Sequence, residues 1–173
     1  MSTTHPTTST IGSTDTTDTD DFCATKSFAS APDAVYAALT DVDGLTGWWT
    51  PAGGGTEAGD TVRFLMGHEE VLMRVEEADR PSRVRWHVLD CPVAHDWDGT
   101  SITFDLAPAG TGTELRFRHH GLNPSLECFD LCNAGWTRHL ASLVEFVDRG
   151  AGTPNLPIDV ERFSAWRAEH ATR

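Results

Sequence analysis

At 173 residues, with 13 Lys and Arg against 26 Asp and Glu, the chain carries a formal charge of −13. That length suits one domain with a substantial hydrophobic core. So acidic a surface argues against nucleic acid and anionic membranes as partners, since both are bound through clustered bases, and no apolar run reaches membrane-spanning length.

Residues 1–21 are mostly Ser and Thr, with Asp15, Asp18, Asp20 and Asp21. Such a stretch cannot bury enough apolar surface to offset its ordering entropy, so a disordered tail is expected. It lacks the basic start and apolar run of an export signal, which makes the cytoplasm the expected compartment. There Cys23, Cys91, Cys128 and Cys132 would stay reduced. A strand is expected from Phe22 to Ala29. A helix follows, with Ser30 as its cap, Asp33 in the first turn, and Val35, Tyr36 and Leu39 on one face. A second short helix runs from Val42 to Gly47 and ends at Trp48-Trp49. Pro51 and Gly53-Gly54-Gly55 read as a loop.

From Asp60 to His120 the period becomes two. Val62, Phe64 and Met66 begin an apolar face that continues through Val71, Met73, Val75, Val84, Trp86, Val88, Ile102, Phe104, Leu106, Leu115, Phe117 and His119. Turn residues divide the runs, which predicts an antiparallel meander with one apolar face. Asn123-Pro124 then reads as a helix start, and Leu126, Phe129, Cys132, Trp136, Leu140, Leu143 and Val147 recur at helical spacing. Gly150 and Gly152 end a helix of roughly 25 residues, about 38 Å long. A stripe of that length needs a broad sheet to cover it. The fold class is therefore α+β, a curved antiparallel sheet of about six strands wrapped around a long C-terminal helix. Residues 22–154 form the domain, and 155–173 an extension with a short helix through Val160, Phe163 and Trp166.

Several stretches carry a family resemblance. Residues 31–41 with Trp48-Trp49, Trp97-Asp98-Gly99-Thr100, His119-His120-Gly121-Leu122, Cys128, Cys132, Gly135-Trp136, Ser142-Leu143 and residues 150–154 together resemble the START/Bet v 1-like superfamily. Within it they are similar to the bacterial proteins grouped with the C-terminal domain of the Hsp90 ATPase activator. The resemblance implies a helix-grip fold with a cavity between sheet and helix. It implies no single activity, since members include lipid carriers, cyclases, stress sensors and co-chaperone modules.

Trp49, Phe64, Met73, Trp86, Phe104, Phe117, His119, Cys132 and Trp136 are the expected ligand-binding set, because aromatic walls with few polar groups suit small-molecule pockets. His119, on the inner face by strand parity, is the candidate acid-base residue; the plainer reading is a buried histidine satisfied by one partner. Cys91, His95, Cys128 and Cys132 have donors suited to a metal, but their spacing favours thiol packing. No metal site and no cofactor are expected. His95, Asp96 and Asp98 read as turn residues rather than a catalytic cluster. Arg63, Arg74, Arg83, Arg85, Arg116 and Arg118 alternate onto the outer face, where a cross-strand charge ladder with Glu76, Asp105 and Glu114 is expected. The leading function is binding or carriage of a small hydrophobic or aromatic molecule. The alternatives are a cyclase- or hydrolase-type enzyme using His119 and a co-chaperone-like interaction module. A homodimer through a sheet edge is a further expectation.

Overall fold

The computed structural model describes residues 21–156 and 160–170. The expected disordered tail therefore lies, apart from Asp21, outside the described residues. Strand β1 (Phe22–Phe28) leads into helices α1 (Pro32–Thr40) and α2 (Val42–Trp48). Six strands follow: β2 (Ala52–Gly54), β3 (Thr61–Met66), β4 (Glu69–Asp79), β5 (Arg83–Asp90), β6 (Ser101–Ala109) and β7 (Gly112–His120). Helices α3 (Phe129–Arg149) and α4 (Val160–His170) complete the described chain.

All seven strands join one antiparallel sheet in the order β1-β7-β6-β5-β4-β3-β2. The period-two residues form its buried face, and cross-strand pairs such as Phe104 with Phe117 lie on that face. The β4–β5 register shifts twice, with Leu89 of β5 left over opposite Leu72/Met73 and Glu76 of β4 left over between Val75 and Glu77, the pattern of β-bulges. On α3, Cys132, Trp136, His139, Leu140 and Leu143 are buried in the i, i+3, i+4 pattern of a helix lying on a sheet.

Three local expectations change. Strand β2 forms where a loop was read, pairing Ala52 with Phe64 and Gly54 with Val62. Its small residues admit α4: a Cβ at Gly53 would sit 3.1 Å from His170 Cβ and 3.4 Å from the Trp166 ring. Ser30 does not cap α1. Its hydroxyl donates to Asp148 Oδ1 at 2.8 Å, while the amides of Ala29 and Ser30 donate to the same carboxylate at 2.9 and 3.0 Å. The N-cap is Ala31, with no side-chain bond and Pro32 in the first turn. Finally, α3 has 21 residues and begins at Phe129, about 31 Å of helix. The Asn123 side chain is already used in a tight turn, accepting from the amide of Ser125 at 3.0 Å, and the chain makes further turns before the helix starts.

The C-terminal end of α3 follows the sequence. Gly150 adopts a left-handed φ of 77°, which glycine takes without steric cost. The chain then doubles back along the helix. A Cβ on Gly152 would come 2.5 Å from the Gly47 carbonyl oxygen, so only glycine fits that crossing. Ser142 Oγ donates to the Trp48 carbonyl and accepts from the Thr153 amide, both at 2.7 Å. These contacts carry the chain to Asn155, whose amide donates to the Trp49 carbonyl at 2.7 Å.

Candidate functional site

The space between the middle of the sheet and α3 is filled by aromatic side chains. Trp49 lies 4.4 Å from Phe64, 5.0 Å from Trp136 and 6.0 Å from Trp86, centroid to centroid. Trp86 meets Phe104 at 4.9 Å, Phe104 meets Phe117 at 5.2 Å, and Phe117 meets Trp136 at 4.6 Å. Met73 is buried in the same core cluster. Offset and edge-on contacts of this kind hold a core together.

His119 closes one end of this core and is fully buried. Trp136 Nε1–H donates to its Nδ1 at 3.0 Å, and its Nε2 lies 2.8 Å from Thr100 Oγ1. The Thr100 hydroxyl proton is directed at the Trp97 carbonyl oxygen, 2.6 Å away, so Thr100 accepts from His119. The partners fix a neutral ring protonated on Nε2. Burial pushes its pKa down to about 3, because desolvation disfavours the charged form. Neither nitrogen is left to exchange a proton with a substrate. The arrangement matches the plainer sequence reading, with two side-chain partners instead of one.

The open space lies beside this core. A pocket of about 470 Å³ opens between the first half of α3 and the Cys91–Trp97 segment that follows β5. Three of the nine nominated residues line it: Trp49, Cys132 and Trp136. Phe64, Met73, Trp86, Phe104, Phe117 and His119 stand behind them. The remaining wall comes from Met66, Cys91, Val93, Ala94 and Trp97, then from Leu131, Ala134, Gly135, Arg138 and His139 of α3, and from Asn155. At 100° per residue, Leu131, Arg138 and His139 surround Gly135 on one helix face. A Cβ built on Gly135 meets no atom within 4 Å, so the pocket begins where that side chain would be. Val93 and Leu131, 49% and 79% exposed, sit on segments that flank the opening.

The segment after β5 is held by its own hydrogen bonds. His95–Trp97 form a single 3-10 turn. Asp98 accepts from the Cys91 amide at 2.7 Å and lies 3.2 Å from His95 Nδ1, which gives these residues a structural role. Trp97 turns inward, parallel to Trp136 at 5.7 Å, and donates from Nε1 to Cys132 Sγ at 3.2 Å. Burial raises the thiol of Cys91 to about 11. It also raises Cys128, helped by hydrogen bonding to Cys132 and Asp96, to about 12. Both are therefore weak nucleophiles at neutral pH. Among the described residues no group of three or more His, Cys, Asp or Glu side chains is arranged to hold a metal ion. The outer-face arginines form part of the expected cross-strand ladder: Arg83 pairs with Glu77 at 2.7 Å and Asp105 at 3.0 Å, and Arg85 with Glu76 at 2.9 Å, whereas Arg116 pairs with Glu114 two residues away on its own strand, at 2.9 Å.

Among the described residues no helix is long and apolar enough to cross a membrane. A comparison with curated proteins gives no match. Solved structures do match. The solution structure of the Aha1 dimer from Colwellia psychrerythraea is 27% identical, with a TM-score of 0.69, over 76% of this chain and 98% of that one. A Mesorhizobium loti protein shares the fold at 18% identity and a TM-score of 0.66, over 75% and 97% of the two chains. A Micromonospora echinospora protein does so at 18% and 0.62, over 86% and 84%. Residues 29–148 match the family described as Activator of Hsp90 ATPase homolog 1-like protein; with that match covering well over half its length, this chain belongs to that family.

Proposed function

We propose that the protein binds or carries a small, largely apolar or aromatic molecule in the pocket between α3 and the Cys91–Trp97 segment. The observation that carries this reading is a space of about 470 Å³ walled by Trp49, Trp97 and Trp136. That volume falls in the ordinary range for small-molecule sites, which are mostly apolar with a few polar groups. The enzyme alternative rested on His119, whose two nitrogens already serve Trp136 and Thr100. The co-chaperone alternative rests on family likeness alone, and binding to an Hsp90-type chaperone in a pull-down is the result that would revive it.

Gly135 supplies the test. Replacing it with Leu fills the pocket from its helical wall while adding helix propensity of about 1 kcal/mol. Binding of 2-ethylnaphthalene, followed by quenching of tryptophan emission, should be saturable in the natural protein and at least tenfold weaker in Gly135→Leu, with the melting temperature unchanged or higher. Equal binding by both proteins would place the ligand elsewhere.

The Colwellia relative was solved as a dimer. For this chain we propose the same state through β1, one of the two edge strands; the other edge, β2, has α4 packed on it.

A further inference from the structure

Exposed apolar side chains are not scattered over this molecule. Among the described residues four large hydrophobics stand out to solvent: Leu89, Val93, Leu131 and Leu156, with Leu131 the most exposed at 79%. Val93 and Leu131 line the pocket, Leu156 follows the lining residue Asn155, and Leu89 stands two residues before the lining residue Cys91. Isolated surface leucines are ordinary, whereas apolar residues gathered about one concave place mark an interaction surface.

The two walls also make a groove. Along α3, the lining residues Leu131, Ala134, Gly135 and Arg138 follow one another at helical spacing, with the small residues in the middle. The Cys91–Trp97 segment forms the opposite bank. Grooves of this kind take an amphipathic helix, which lays side chains at i, i+3, i+4 and i+7 into them.

Charge decides the occupant. Asp90, Asp96, Glu127 and Asp130 are all exposed and lie on these two banks or directly beside them. Asp96 hydrogen-bonds Cys128, which ties one bank to the start of the other. None of the four forms an ion pair with a described residue, whereas Glu70, Glu76, Glu77, Asp105 and Glu114 of the sheet all do. The single arginine of the pocket wall, Arg138, lies seven residues along α3 from Leu131, about 10 Å away, and donates to Asn155 Oδ1 at 2.7 Å. Four unpaired carboxylates repel anionic lipid and a second copy of so acidic a chain, and they attract Lys and Arg.

We propose that this mouth is a docking surface for a basic amphipathic helix of another protein, whose apolar side covers Val93, Leu131 and Leu156 and whose cations meet Asp90, Asp96, Glu127 and Asp130. The surface goes beyond the small-molecule reading and stands without it.

The test titrates the full-length protein, at about 0.15 M salt, into a fluorescently labelled synthetic peptide of leucine and lysine at helical spacing, beside the same peptide with glutamate for lysine. The lysine peptide should bind at least tenfold more tightly. Any acidic protein favours a cation, so the variants locate the contact. Leu131→Gln and Val93→Gln, both at exposed positions, should each weaken the lysine peptide at least fivefold without a change in melting temperature. Glu127→Gln combined with Asp130→Asn should weaken it at least threefold. Glu57→Gln combined with Glu145→Gln, which removes as much charge between β2 and β3 and from the second half of α3, should move it less than twofold. Equal effects from the two charge pairs, or binding untouched by Leu131→Gln, would overturn the surface. So would a lysine peptide that fails to bind where phosphatidylcholine vesicles do, or an oligomer that Leu131→Gln dissolves, since each assigns the mouth to another occupant.

Discussion

Trp136 Nε1–H and His119 Nδ1 meet where water does not reach, so each of these two nitrogens depends on the other in place of solvent. Removing one leaves a buried donor or acceptor unpaired, which costs about 1–3 kcal/mol, and truncating a ring opens a cavity besides. His119→Ala should therefore destabilise the fold by about 2–4 kcal/mol in urea titrations. His119→Gln should recover part of that loss, because its amide can both accept and donate. A loss below about 0.5 kcal/mol, the range of ordinary surface changes, would show that the pair is not structural. Strand parity was enough to put this ring on the inner face beside Leu115 and Phe117. Its two partners lie on a loop and a helix distant in sequence, and no local pattern predicts them.

At the scale of elements, legibility followed the range of the signal. Strands β3 to β7 were readable because alternation is local and one face is buried from end to end. Strand β2 was not, since Ala-Gly-Gly has no period; it is extended because β3 pairs with it and α4 needs a thin surface there. The start of α3 fell several residues late because Asn123-Pro124 serves an isolated turn as well as it would a cap. Ser30 misled in the same way, its hydroxyl being drawn to Asp148 at the far end of α3. That carboxylate gathers three hydrogen bonds from the β1–α1 corner and so fixes where the helix end meets the sheet. Hydrogen bonds to a charged group contribute about 1.5–3 kcal/mol each when well sheltered, and less at this partly exposed corner. Asp148→Ala should lower stability by about 1–2 kcal/mol by urea denaturation, with hydrogen exchange quickening first at the amides of Ala29 and Ser30. Unchanged exchange there would mean that the corner is held by other contacts.

For the molecule as a whole, the two buried histidines predict acid sensitivity. Burial holds His119 at about 3 and His139 at about 4, whereas both titrate near 6.5 once unfolded. Below pH 6.5 the unfolded chain binds protons that the folded one refuses, so stability is complete above that pH and falls as the solution is acidified. At about 1.4 kcal/mol per pH unit and per histidine, the two together remove about 4 kcal/mol by pH 5. That is a large part of a typical domain's 5–15 kcal/mol. The urea midpoint should drop clearly between pH 7.5 and pH 5, where most carboxylates are still ionised. A midpoint that holds steady over this interval would mean that neither ring is buried neutral. The pocket itself was the least legible feature. Its walls come from five separated stretches of chain, and one of them includes Gly135, which contributes no side chain for a pattern to register.

The family match ends at residue 148, and Asn155 lies beyond it. One wall of the pocket is thus supplied by a short appendix that crosses the Gly47 carbonyl at Gly152, while sheet and helix provide the frame. Residue 155 can therefore be exchanged to reshape that wall while Gly152 and Thr153 keep the crossing, which leaves the frame built by sheet and helix in place.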